Sequence, residues 1–146
     1  MYLKSAVLLT WMAASYYLLV FRASGALEGG LYSISLALAM AGVGFNIQHD
    51  GNHGSFAKRP WINRLAGLTL DLLGASSYLW VHKHNLSHHT YTNIPEADED
   101  IDLAPMGRLS SAEPLRFCHR YQHLYLWFFY AFLVIHGSFT MTTRNC

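Results

Sequence analysis

A chain of 146 residues suits one domain, and 52% hydrophobic against 13% charged residues is too apolar for an average soluble one. A formal net charge of +1 gives no basic field for a polyanion, so a nucleic-acid partner is excluded, and two cysteines, Cys118 and Cys146, cannot build a disulfide-rich secreted scaffold. The outlying number is nine histidines against ten lysines and arginines together.

Four apolar stretches follow in chain order. Ala6 to Phe21 carries no charge and is bracketed by Lys4 and Arg22, and Leu31 to Ile47 is again uncharged. Each approaches the roughly 20 residues that cross about 30 Å of hydrocarbon. The segment between them, Arg22 to Gly30, holds Gly25, Gly29 and Gly30 and suits a tight helical hairpin. A cleaved signal peptide is the alternative for the first stretch, but bulky Trp11, Tyr16 and Tyr17 and the immediate second run favour a retained hairpin.

The third stretch, Leu65 to Val81, is interrupted by Asp71 and Gly74, so it is predicted as a helix in the interface or buried in protein rather than a span. The fourth, Leu124 to Thr143, enters through aromatic residues and is predicted to cross. The fold class expected is therefore an all-α membrane protein: a transmembrane hairpin, an interfacial helix and a further span. Lys58, Arg59, Arg64, Lys83, Arg108, Arg116 and Arg120 fall between the second and last runs, which places that central region in the cytoplasm. That orientation keeps Cys118 reduced and hides the Asn85-Leu86-Ser87 sequon from glycosylation.

The histidines cluster where apolar runs end. The second run leads into Gln48-His49-Asp50-Gly51-Asn52-His53, and residues four apart on a helix are rotated by only about 40°, so both imidazoles can address one metal. The third leads into Trp80-Val81-His82-Lys83-His84-Asn85-Leu86-Ser87-His88-His89, where His84 and His88 repeat the spacing and His89, about 100° beyond His88, is expected to reach a second metal. His82 breaks that face. His119 and His123 are also four apart and are read as core residues or accessory ligands, and His136 as a hydrogen-bonded residue within the last span. Imidazole ligands without cysteine or carboxylate at ligand spacing suit iron, zinc, copper or nickel. Zinc ranks second, because a zincin motif needs glutamate where Asp50 stands.

His49-Asp50-Gly51-Asn52-His53-Gly54-Ser55-Phe56 and His84-Asn85-Leu86-Ser87-His88-His89-Thr90-Tyr91-Thr92-Asn93 resemble the first and second histidine boxes of the membrane fatty-acid desaturases, nearest to the acyl-lipid and front-end branch. The resemblance runs from about Leu31 to Phe132 and includes Trp61-Ile62-Asn63-Arg64, the acidic Glu96-Ala97-Asp98-Glu99-Asp100-Ile101-Asp102, and Arg120-Tyr121-Gln122-His123-Leu124-Tyr125. It implies a non-haem diiron oxidoreductase that desaturates a fatty acyl lipid or acyl-CoA with dioxygen and with electrons from cytochrome b5 or ferredoxin. It further implies a multi-pass protein of the endoplasmic reticulum or bacterial inner membrane with its histidine boxes cytoplasmic.

The metal ligands expected on this resemblance are His49, His53, His84, His88 and His89. Asp50 and Asn52 are expected to orient imidazoles, with His82, His119 and His123 as further accessory positions; Asp98, Glu99, Asp100 and Asp102 are read as a solvated cytoplasmic segment, the alternative being a role in orienting the nearby site or an electron-donor partner. The family's third box has no counterpart before Arg144-Asn145-Cys146, and no His-Pro-Gly-Gly haem motif is present. The chain, 1–146, is accordingly expected to be a partial desaturase domain, inactive in isolation. A lipid hydroxylase of the same superfamily, a membrane haem protein and a non-catalytic remnant are the competing readings.

Overall fold

The computed structural model describes residues 1–95, 97, 98, 101 and 103–129; among them every regular element is helical. One compact unit comprises Met1–Ser77 and a second begins at Tyr78. Most of the fourth apolar stretch, with His136, Glu96, Glu99, Asp100, Asp102 and Cys146, lies outside the described residues.

The first unit starts as the expected hairpin, α1 (Tyr2–Phe21) against α2 (Ala26–Val43). The turn is shorter than the predicted Arg22 to Gly30. The Glu28 carboxylate reaches back to accept bonds from the Ser24 N–H at 2.9 Å and hydroxyl at 2.8 Å, which starts α2 at Ala26 and places Gly29 and Gly30 inside the helix. The two helices meet through small and hydroxylated residues. Ser35 accepts from the Trp11 indole at 3.0 Å and lies 2.8 Å from the Ser15 hydroxyl, and a Cβ on Gly42 would meet Leu8 at 2.6 Å.

Beyond Val43 the helix does not stop. A π-helical turn, π1 (Gly44–Gln48), runs directly into α3 (His49–Asn52), so one uninterrupted helical rod extends for 27 residues from Ala26 to Asn52. At about 1.5 Å per residue it is roughly 40 Å long, more than the hydrocarbon core requires. Both rods are long and apolar enough to cross a membrane, yet of the apolar 18-residue window in each only 6% in the first and 17% in the second is buried in protein. Exposed Val7, Tyr16, Leu31, Ile34 and Leu38 give them apolar outer surfaces that water disfavours and lipid accepts.

The rod ends at a glycine. Gly54 has φ +70°, its N–H bonds to the Gly51 carbonyl at 3.0 Å, and the Ser55 N–H bonds to the Asp50 carbonyl at 2.9 Å, a Schellman closure. The chain then turns into α4 (Pro60–Gly67), started by proline at its first position, and α5 (Thr69–Leu72). Val43, Ile47, Phe56 and Ala66 form the core between rod and return, with Leu8, Leu9, Met12 and Ile62 packed around it.

The single helix predicted over Leu65 to Val81 is instead broken into pieces. Gly74, at φ +89°, closes α5 by the same glycine device: its N–H bonds to the Asp71 carbonyl at 3.1 Å and the Ala75 N–H to the Leu70 carbonyl at 3.2 Å. A new short helix, α6 (Ser77–Trp80), then leads into a second π-helix, π2 (Val81–His88). Later in the second unit come a 3₁₀ turn, Phe117–Tyr121, and helical residues 122–129.

Candidate metal centre

The first histidine pair sits where π1 becomes α3. His49 and His53 are half-buried, with ring centroids 4.5 Å apart. Their position is fixed by a close approach of α3 and α4. A Cβ added to Gly51 would collide with the backbone nitrogen of Gly67 and with Ala66, and one on Gly67 would strike the Asn52 amide oxygen. The Asn52 amide donates to Gln48 Oε1 at 2.9 Å and to the Gly67 carbonyl at 3.4 Å, so it ties this turn to α4. Asp50 stands beside His49, its Oδ1 3.4 Å from Nδ1, a long contact between two partly exposed groups.

Asn63 holds the loop after the pair. Buried, it accepts from the Ala57 N–H at 2.7 Å and donates to the Gly54 and Ala57 carbonyls, both at 2.9 Å. The sequence showed it only as part of a resemblance, because a side chain that bonds loop backbone has no periodic signature.

The second cluster is built differently. An α-helix would swing His89 about 140° away from His84. The wider π turn gathers it instead: the ring centroids lie 5.0 Å apart for His84 and His88, 4.8 Å for His84 and His89, and 5.4 Å for His88 and His89. Three imidazoles thus share one neighbourhood, whereas the α-helical spacing predicted that His89 faces elsewhere. Trp80 stacks on His84 at 4.4 Å and backs the cluster with an apolar plate. His82 is exposed and packs edge-on against Tyr78, 4.5 Å between centroids.

Asp98 overturns its expected place in a solvated segment. It is 1% exposed, and its two oxygens lie 3.0 and 3.1 Å from His88 Nδ1. Oδ2 also accepts from the Asn93 N–H at 2.8 Å, at a residue whose φ is +62°. Ile94, Ala97 and Ile101 interleave with the acidic residues here, but no spacing in the sequence singles out Asp98.

His119 is buried and uses both ring nitrogens on backbone. Nδ1 accepts from the Arg116 N–H at 3.2 Å, and Nε2 lies 3.1 Å from the Pro105 carbonyl, to which the neutral ring donates. His123 is exposed, and its carbonyl accepts from the Trp127 indole at 3.1 Å.

The donor chemistry in each unit fits a transition metal. Neighbouring imidazoles dominate, and a buried carboxyl group lies against His88 Nδ1, the outer-sphere arrangement that metal-bound histidines use.

Comparison with known proteins agrees with this chemistry. The family profile described as fatty acid desaturase matches residues 26–145. The chain is 44% identical to the sn-1 linoleoyl-lipid 6-desaturase of Arthrospira platensis over 138 residues, which cover 94% of this chain and 38% of the relative. It is 38% identical over 141 residues to the acyl-lipid (8-3)-desaturase of Physcomitrium patens, covering 95% and 29%, and 36% identical over 133 residues to an sn-1 linoleoyl-lipid 6-desaturase of Synechocystis, covering 91% and 37%. It therefore spans less than two-fifths of the length of these relatives. No solved structure matches it.

Proposed function

Because the chain belongs to the fatty acid desaturase family, we propose that it carries part of the catalytic centre of a membrane diiron oxidoreductase that introduces a double bond into a long acyl chain of a lipid. His49, His53, His84, His88 and His89 are the iron ligands in this reading. The observation that carries it is the second apolar rod, which runs unbroken for 27 residues into the first histidine pair and so delivers imidazoles just beyond the hydrocarbon.

Iron, when bound, supplies the oxidising power toward an unactivated carbon–hydrogen bond. Two hydrogens leave adjacent carbons as the double bond forms, and dioxygen with two electrons and two protons ends as two waters. The electrons come from cytochrome b5 or ferredoxin. This chain's own residues do the holding. Neutral imidazoles bind a cation without cancelling its charge, and Trp80 shields one face of His84 from water. Gly51 lets α3 lie against α4, so the first pair is fixed by backbone rather than by a flexible loop. The membrane placement is multi-pass, in the endoplasmic reticulum or a bacterial inner membrane. The exposed cations Lys58, Arg59 and Arg64 after the first box support a cytoplasmic side for the histidines.

The test is a chimera in which this chain replaces the matching segment of the Arthrospira platensis desaturase. Expressed in membranes with a reductase and cytochrome b5 or ferredoxin, it should form a new double bond in acyl lipids, whereas the 146-residue chain by itself should form little. A chimera that inserts and binds iron yet returns hydroxylated acyl chains would move the assignment to the hydroxylases. One that inserts and binds no iron would end it.

A further inference from the structure

Among the contacts of the buried Asp98 carboxyl group are two nitrogens, only one of which belongs to a histidine box. They are His88 Nδ1 and the Asn93 backbone N–H. A carboxylate is acceptor-only, so in a neutral His88 the proton must sit on Nδ1, and the lone pair is left on Nε2. An unconstrained imidazole has no such obligation. From this geometry we infer that Asp98 is a positioning residue that fixes His88 in its Nδ1–H tautomer and presents Nε2 to the metal, a role that rests on the ligand assignment above.

The local fold is arranged to bring this carboxylate back. The Thr92 hydroxyl bonds the His88 carbonyl at 2.6 Å, Asn93 takes a left-handed backbone, and the Ala97 and Asp98 N–H groups both bond to the Ile94 carbonyl, at 3.2 and 2.9 Å. The chain thus turns through residues 92–98 and returns the side chain beneath the helix it has just left. Full burial makes the arrangement specific, because a carboxylate withdrawn from water without donors is costly, and the Asn93 N–H of this turn supplies one.

The substitution Asp98→Asn separates this role from simple packing. The amide is nearly isosteric but has one acceptor and one donor end. If Oδ1 keeps the Asn93 N–H, the NH₂ group faces His88 Nδ1 and demands a lone pair there, which drives the proton to Nε2 and blocks the metal-binding atom. The same logic makes a carboxylate-to-amide change damaging wherever a histidine tautomer matters.

The experiment uses the chain labelled with ¹⁵N-histidine, in lipid nanodiscs, metal-free and at pH ~8, above the ordinary imidazole range. Long-range nitrogen–proton spectra identify the tautomer of each ring, and a His88→Asn variant assigns the resonance. Wild type should show His88 protonated on Nδ1, and Asp98→Asn should show it on Nε2. Anaerobic Fe(II) titration of the chimera should then give affinity about 10–100-fold weaker in Asp98→Asn, with Asp98→Glu recovering most of the loss. A wild-type His88 protonated on Nε2 overturns the inference, and this needs no variant to fold. So does an Asp98→Asn protein that flips the tautomer yet binds Fe(II) as tightly as wild type. Should the wild-type chimera bind no Fe(II) while His88 keeps its Nδ1 proton, the ligand assignment fails and the tautomer control by Asp98 stands.

Discussion

The two histidine regions solve one problem by different means. In the first, the pair His49 and His53 keeps a four-residue spacing and is immobilised from outside, by the glycine contact of α3 with α4 and by Asn52 and Asn63. In the second, three histidines are gathered by the backbone itself, through the π turn of residues 81–88, and one is held by a buried carboxylate ten residues on. Tertiary packing positions a pair cheaply when an apolar rod already supplies a rigid base. Where no such rod precedes the cluster, a wider helical turn and a buried carboxyl contact do that work.

The strongest way to break this comparison is to remove one ligand from each region in the chimera. His53→Ala and His88→Ala should both reduce desaturation to background while membrane insertion, followed by protease protection, persists. Retained activity in either would remove that region from the metal centre.

Next in size is Gly51→Ala. The backbone of Gly67 cannot yield to a new methyl as a flexible side chain would, so the first unit should lose about 1–3 kcal/mol. Thermal unfolding in detergent should register the loss, while the His88 tautomer, set within the second unit, should be unchanged. A shifted His88 signal would show that the two regions are not independently built.

His119→Ala probes the second unit in the opposite sense. It deprives the Arg116 N–H and the Pro105 carbonyl of their partner, which should cost about 1–2 kcal/mol of stability. Iron content of the chimera should stay at the wild-type value. A stoichiometric drop in iron would return His119 to the ligands.

The smallest effect is expected within the hairpin. Ser35→Ala removes the acceptor of Trp11 and the partner of Ser15, and hydrogen bonds between membrane helices average only about 0.6 kcal/mol. With two such bonds lost, unfolding of the hairpin in mixed micelles should shift by about 1 kcal/mol at most, with both histidine regions unaffected.

What the sequence by itself determined is whatever depends on composition and short spacing. Two uncharged runs had to become helices long and apolar enough to cross a bilayer, because lipid admits only backbones that bond internally, and His49-x-x-x-His53 had to share a helix face. The helix breaks, the π turns and the burial of Asp98 were decided by tertiary structure. The split of residues 65–81 hinges on Gly74 at positive φ, and an apolar stretch of that length reads as continuous until its backbone is known. An i, i+4, i+5 set of histidines looks divided between two faces at 3.6 residues per turn, and only the i+5 bonding of π2 brings His89 beside His84. Asp98 sits among acidic neighbours that hydrate readily. Its withdrawal beneath the box depends on a left-handed turn at Asn93 and on a partner ten residues away, and neither leaves a periodic trace in the sequence.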